Sequence, residues 1–264
     1  HEEVDTDTWR SVDEYLSFLQ REGLSINVAT LVGHANIRTE IMGFEDRDPE
    51  RVELERMCEL VDKALSNGAI GLSTGLFYPP GAYADTDEVV ALCEVVAEHG
   101  GIYTTHMRSE SDKLIESVEE SIEIGRKADV PVQISHHKAI GRDNWGKVRY
   151  TLRRMELARE YDGVDVQCDQ YPYIASSTSL GALLPTWAHD GGDEALLGRL
   201  RDEETQKRLV KELENNQSEQ WDSVLITRVR NDNLEHMEGQ TIAELTARED
   251  ENRSGAKLLL DIVL

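Results

Sequence analysis

Two histidines, His106 and His136, stand thirty residues apart, each closing a short β-branched run: Ile102-Tyr103-Thr104-Thr105-His106 and Val132-Gln133-Ile134-Ser135-His136. Thirty residues is the length of one strand-helix unit. Neighbouring parallel strands lie about 4.8 Å apart, so imidazoles at both strand ends can converge on one ion at Zn–N distances of about 2.0 to 2.1 Å. Imidazole suits Zn, Fe, Ni or Cu, and zinc is the usual choice for hydrolysis without redox chemistry. The other reading is structural, with the ring nitrogens satisfied by nearby carbonyls, and spacing alone leaves both readings open. His137 directly follows His136 and, by strand alternation, faces the opposite side, where it should pack against a flanking layer.

The elements that must hold these histidines repeat through the first two thirds of the chain. Residues 8 to 22 show helical spacing through Trp9, Val12, Tyr15, Leu16 and Leu19, closed by Gly23. Ile26 to Val32 is an apolar strand ending at Gly33-His34, and a loop follows it. Asp48-Pro49 then reads as cap and first turn of a helix ending at Asn67-Gly68. A strand over Ala69–Thr74, a loop with Tyr78-Pro79-Pro80, and a helix capped by Asp85 or Thr86 lead to the His106 strand. Helices over about 111–128 and 145–161 flank the His136 strand, and a fifth strand runs from Val164 into Asp169-Gln170-Tyr171-Pro172-Tyr173.

Five strand-helix units with strands apolar on both faces make a parallel sheet. No strand exit reads GxGxxG or GxxxxGK[ST], the phosphate loops expected of an open doubly wound nucleotide-binding sheet. Histidines, tyrosines and Lys138 instead gather at strand C-termini, where a (β/α)₈ barrel builds its site. The fold class expected is therefore α/β, a partial TIM-type barrel over residues 1–178 followed by a helical insertion over 179–264. In the second part, 193–215 reads as one highly charged helix, Ser223–Thr227 as a short strand, and Thr241–Leu245 as the start of a further helix.

Charge limits the partners. The 264 residues carry 52 Asp and Glu against 28 Lys and Arg, a formal net charge of -24. Nucleic acid and anionic membranes are poor partners for such a surface, and no apolar run approaches the roughly 18 residues of a membrane span. So much acid suits a high-salt cytoplasm. Three cysteines, Cys58, Cys93 and Cys168, form no CxxC and no even framework, which agrees with a reducing, cytoplasmic compartment.

Five stretches in register carry a resemblance: Leu31-Val32-Gly33-His34, Gly75-Leu76-Phe77-Tyr78-Pro79-Pro80, His99 to Glu110, Val130 to Lys138, and Asp169 to Thr178. Together they resemble the N-acyl-D-amino-acid deacylases, the D-aminoacylase branch of the amidohydrolase superfamily. The likeness runs from about Trp9 to Thr178 and fades afterwards. It implies that His106 and His136 are zinc ligands on barrel strands five and six, and that His34 ends strand three near the site without being a ligand. It also implies that Tyr78, Lys138, Tyr171 and Ser177 hold the carboxylate and acyl amide of a small N-acyl amino acid substrate.

The family's His-x-His pair, its cysteine ligand and its general-base aspartate have no match, so the resemblance implies a chain lacking the first two and last barrel strands. Catalysis is expected to require residues outside this chain. The implied reaction is zinc-dependent hydrolysis of the N-acyl bond to a carboxylate and a D-amino acid. The alternatives are an inactive module of the same fold and a different amidohydrolase, such as a dihydroorotase-like cyclic amidase. Arg108 and Glu110 are expected to pair locally at the strand mouth.

Overall fold

A computed structural model describes residues 9–215, 221–248 and 254–264. Thr8, where the first helix was expected to begin, lies outside the described residues. The chain forms two compact units that divide between Pro172 and Tyr173, somewhat ahead of the boundary after Thr178 that the reach of the motifs suggests.

In the first unit, strands β1 (Val32–Gly33), β2 (Gly71–Gly75), β3 (Ile102–His106), β4 (Val132–Ile134) and β5 (Val166–Cys168) form one parallel sheet in the order β1-β2-β3-β4-β5. Every strand lies beside its successor in the chain, so the order never reverses as it does in a doubly wound sheet. The strand expected over Ile26–Val32 is cut to two residues at its end. It is the edge of the sheet and has a ladder partner on one side alone, with pairing picked up from Thr30, whose carbonyl accepts the Ile70 N–H at 2.9 Å. The residues before it have no cover: Ile26 is 74% exposed.

Helix α1 (Val12–Glu22) precedes the sheet, capped by the Ser11 hydroxyl. Helix α2 (His34–Met42) occupies the stretch expected to be loop. Helix α3 (Arg51–Ser66) starts on Glu50, which forms a capping box with Glu53, and not on Asp48-Pro49 as expected. Helix α4 (Thr86–Glu98) is capped by Asp85, whose carboxylate accepts the Glu88 N–H. Helices α5 (Leu114–Ala128) and α6 (Lys147–Leu157) complete the layer, and α6 runs on into a π-helical turn over Ala158–Asp162.

The ladder sets Leu72, Tyr103, Val132 and Val166 side by side, all buried against Met57, Leu92, Ile122 and Met155 of the helices. Alternation puts the next row, Ser73, Thr104, Gln133 and Gln167, on the other face. Close approach needs glycine at two places. A Cβ on Gly71 would sit 2.0 Å from the Ile102 carbonyl oxygen, and one on Gly125 of α5 would sit 2.5 Å from Val132 Cγ2.

A buried ion cluster joins α2 to α4. Glu88, 3% exposed, accepts from Arg38 and lies 2.7 Å from His34 Nε2, with both partners fully buried. Desolvation alone would raise the Glu88 pKa, but His34 and Arg38 together hold it below the usual carboxylate value.

The second unit has its own core, including Leu196, Leu200, Leu209, Ile242 and Leu259. The single helix expected over 193–215 is two, α7 (Gly192–Arg201) and α8 (Glu203–Asn215), broken where the Asp202 carboxylate turns to accept the Thr205 N–H. The expected Ser223–Thr227 strand is reduced to an isolated antiparallel bridge, Leu225 with Thr241. Helices α9 (Ile242–Arg248) and α10 (Gly255–Val263) follow. Among the described residues no helix is long and apolar enough to cross a membrane, and Cys58, Cys93 and Cys168 are unpaired thiols.

Candidate metal centre

The sheet brings the two histidines of the opening pattern together. His106 is the last residue of β3, level with Gly75 of β2. His136 lies two residues past β4 and turns the chain with φ 41°, a left-handed conformation uncommon away from glycine. That turn is held from the next strand: Asp169, just beyond β5, accepts the His136 N–H on Oδ1 at 2.6 Å and the Gln133 side-chain amide on Oδ2 at 2.8 Å. As a result His106 Nδ1 and His136 Nε2 lie 3.0 Å apart.

Around the pair stand the other residues read from the sequence. The Tyr78 ring lies 5.0 Å from that of His106, and Phe77 packs edge-on against Tyr78. Tyr171 lies 6.4 Å from the His136 ring, and the Lys138 ammonium lies 5.5 Å from the Tyr171 ring centre. Lys138 Nζ also donates to the His136 carbonyl at 3.0 Å and to Glu110 Oε2 at 2.5 Å. Ser177 belongs to the second unit, at an exposed position. His137 is buried on the opposite side, its Nε2 2.9 Å from the Thr151 hydroxyl of α6, which is where strand alternation puts it.

The expected Arg108–Glu110 pair does not form. Arg108 reaches Glu120 of α5 at 2.8 Å and the carbonyls of Ala82 and Ala84, so it ties the loop that carries Tyr78 to the exit of β3. Glu110 turns the other way, with Oε1 2.9 Å from His136 Nδ1. Glu110 and Asp169 are the two site residues that sequence reasoning missed. The available signal was an acid four residues past His106 and another at the exit of the fifth strand.

The donor set fits a metal. Two imidazole nitrogens 3.0 Å apart are close to the separation of two ligands on one tetrahedral ion with about 2.0 to 2.1 Å bonds. Ligand atoms of His106, Glu110 and His136 all lie within 4.8 Å of one another. Burial lowers the His106 pKa to about 4, against the pull of Glu110 and with help from His136 and Lys138. His106 is therefore neutral at neutral pH, the protonation state that coordination requires.

No family model matches the chain. A D-aminoacylase of Alcaligenes xylosoxydans xylosoxydans is 44% identical over 167 residues, 63% of this chain and 34% of the relative. Among solved structures, an N-acyl-D-glutamate deacylase from Bordetella bronchiseptica, complexed with zinc and a phosphonate inhibitor, superposes with a TM-score of 0.76 at 32% identity. The match covers 96% of this chain and 45% of that one. A D-aminoacylase described as defining a novel subset of amidohydrolases gives 0.72 at 32% identity over the same shares. The parallel sheet is thus similar to that of a solved amidohydrolase. Within that class the chain is a relative of D-aminoacylase and the N-acyl-D-amino-acid deacylases. It spans about a third of the length of these curated relatives.

Proposed function

We propose that this chain is the strand-three to strand-seven part of a TIM-type barrel, and that it takes part in zinc-dependent hydrolysis of N-acyl-D-amino acids. The observation that carries the reading is the 3.0 Å approach of His106 Nδ1 to His136 Nε2 at adjacent strand exits. It is supported by the 44% identity to a D-aminoacylase and the fold shared with a zinc-bound deacylase.

His106 and His136 are the ligands in this reading. A bound zinc ion supplies Lewis-acid polarisation of an acyl carbonyl and activation of water. Catalytic zinc sites usually take three protein ligands, so the reading requires a donor beyond these two imidazoles and a general base that this cluster does not supply. Tyr78 and Tyr171 flank the pair and orient the acyl amide, and the Lys138 ammonium, held by Glu110, donates to a free substrate carboxylate. The products are a carboxylic acid and a D-amino acid.

The test is zinc content and hydrolysis of N-acetyl-D-methionine by the full-length protein, against His106→Ala and His136→Ala. Loss of both zinc and turnover in each variant is expected. Full zinc retention in either variant, or turnover unchanged by both, would overturn the assignment.

A further inference from the structure

Glu110 is the carboxylate most deeply set in the histidine cluster, 6% exposed, and its two oxygens serve different partners. Oε1 lies 2.9 Å from His136 Nδ1, and Oε2 lies 2.5 Å from Lys138 Nζ. The far nitrogen of the same ring, Nε2, faces His106 Nδ1 at 3.0 Å. Glu110 therefore meets His136 at the ring nitrogen opposite the one that faces His106, so an ion held between His106 Nδ1 and His136 Nε2 leaves its contact with Nδ1 intact.

What that place can control is the proton on the ring. A neutral imidazole carries one N–H, and its neighbours decide on which nitrogen. Two groups contend for His136 Nδ1. Glu110 Oε1 accepts only and calls for Nδ1–H, whereas Lys138 Nζ, 3.0 Å from the same atom, donates only and calls for a bare Nδ1. The second arrangement puts the proton on Nε2 and closes that nitrogen to a metal. Glu110 resolves the contest because it also engages Lys138 through Oε2 while the ammonium donates to the His136 carbonyl.

We propose that Glu110 is a positioning residue. It fixes His136 in the Nδ1–H form, keeps the Nε2 lone pair beside His106 Nδ1, and ties Lys138 to the same ring. Asp169 complements it on the main chain by holding the left-handed turn at His136, so one carboxylate sets the ring and another sets the backbone that presents it. The metal consequence rests on the reading of His106 and His136 as donors to one ion; the tautomer does not. Partners of this kind commonly change metal affinity by about 10- to 100-fold.

The experiment uses the chain without metal, then with Co²⁺ as probe. Long-range ¹H–¹⁵N NMR of the imidazoles, above the usual histidine range of about 6.5, reads the tautomer, and visible absorption follows cobalt binding. The wild-type chain should show His136 as Nδ1–H. In E110Q the amide oxygen should turn to the charged Lys138 and its NH₂ to His136 Nδ1, so the ring shifts to Nε2–H and cobalt binds about 10- to 100-fold more weakly. In E110Q/K138M the amide oxygen is released to the ring, and both Nδ1–H and cobalt affinity should return. A purely structural role would not give that rescue.

A wild-type His136 found as Nε2–H or doubly protonated overturns the inference without need of any variant. So does an E110Q chain that keeps the tautomer and the cobalt affinity of wild type. A wild-type chain that shows Nδ1–H but takes up no cobalt overturns the metal reading of the histidine pair and still supports the tautomer assignment.

Discussion

His106 is the residue where burial and function pull in the same direction. Its folded pKa of about 4 lies below the unfolded value near 6.5. Between those values the unfolded chain binds a proton that the folded chain refuses. Stability contributed by the neutral ring is therefore complete above about 6.5, falls as pH drops, and stops falling near 4. Urea unfolding of the metal-free chain at about pH 7 and about pH 5 should show that loss, and His106→Asn should remove part of it; equal pH dependence in the variant would count against the assignment. Asp169 gives a second expectation at this scale. Asp169→Ala frees the left-handed turn at His136, and zinc affinity should drop by about tenfold or more in a competition titration. Both histidines could be read from the sequence because a β-branched run announces where each strand ends. Glu110 and Asp169 offer only the weaker signal of an acid near a strand exit, because they meet His136 across 26 and 33 residues of chain, a proximity that the assembled sheet creates.

Among the elements, the buried cluster of His34, Arg38 and Glu88 decides how α2 sits on α4. Replacing one member of such a cluster leaves uncompensated charge in a site without water, at about 3 to 5 kcal/mol. Glu88→Ala should lower unfolding stability by that amount, measured by urea denaturation; a change under about 1 kcal/mol would show that the cluster is not what fixes the two helices. Gly71→Ala is expected to disrupt the β2–β3 pairing, since a Cβ there meets the Ile102 carbonyl oxygen at 2.0 Å and backbone has to move. Elements β2 to β5 were legible as apolar and β-branched runs between turn signals. Helix α2 was not, because Gly33-His34-Ala35-Asn36 looks like a strand exit and the helix that follows buries few apolar residues, Ile37 and Met42 among them. The cap of α3 departs from expectation for a related reason: Asp48-Pro49 has the preferred residue types, yet Glu50 and Glu53 satisfy each other's backbone N–H groups and start the helix later.

For the molecule as a whole, the net charge of -24 dominates. Exposed carboxylates repel one another across the surface, and salt screens them over about 10 Å at 0.1 M and about 3 Å at 1 M. The melting temperature should rise steadily with KCl, and a value indifferent to salt would remove self-repulsion as a factor. The paired acids are a different population: Arg47 draws the Glu53 carboxyl down to about 2, so its contribution persists above about pH 4.5 and fades only as pH falls towards 2. Fold class was open to sequence reasoning at this scale because every strand-helix unit repeats the same pattern, whereas the break at Asp202 in the second unit depends on one side chain turning back to cap α8.

The strand order β1-β2-β3-β4-β5 also bears on how the sheet is assembled. Each strand pairs with its predecessor in the chain, so no strand has to wait for a distant segment to be synthesised. Sequential pairing keeps each closure to one strand-helix unit, close to the shortest connection that parallel strands allow. During translation the sheet can grow by one strand-helix unit at a time as the chain emerges, and the two histidines meet at the moment the unit between them has folded.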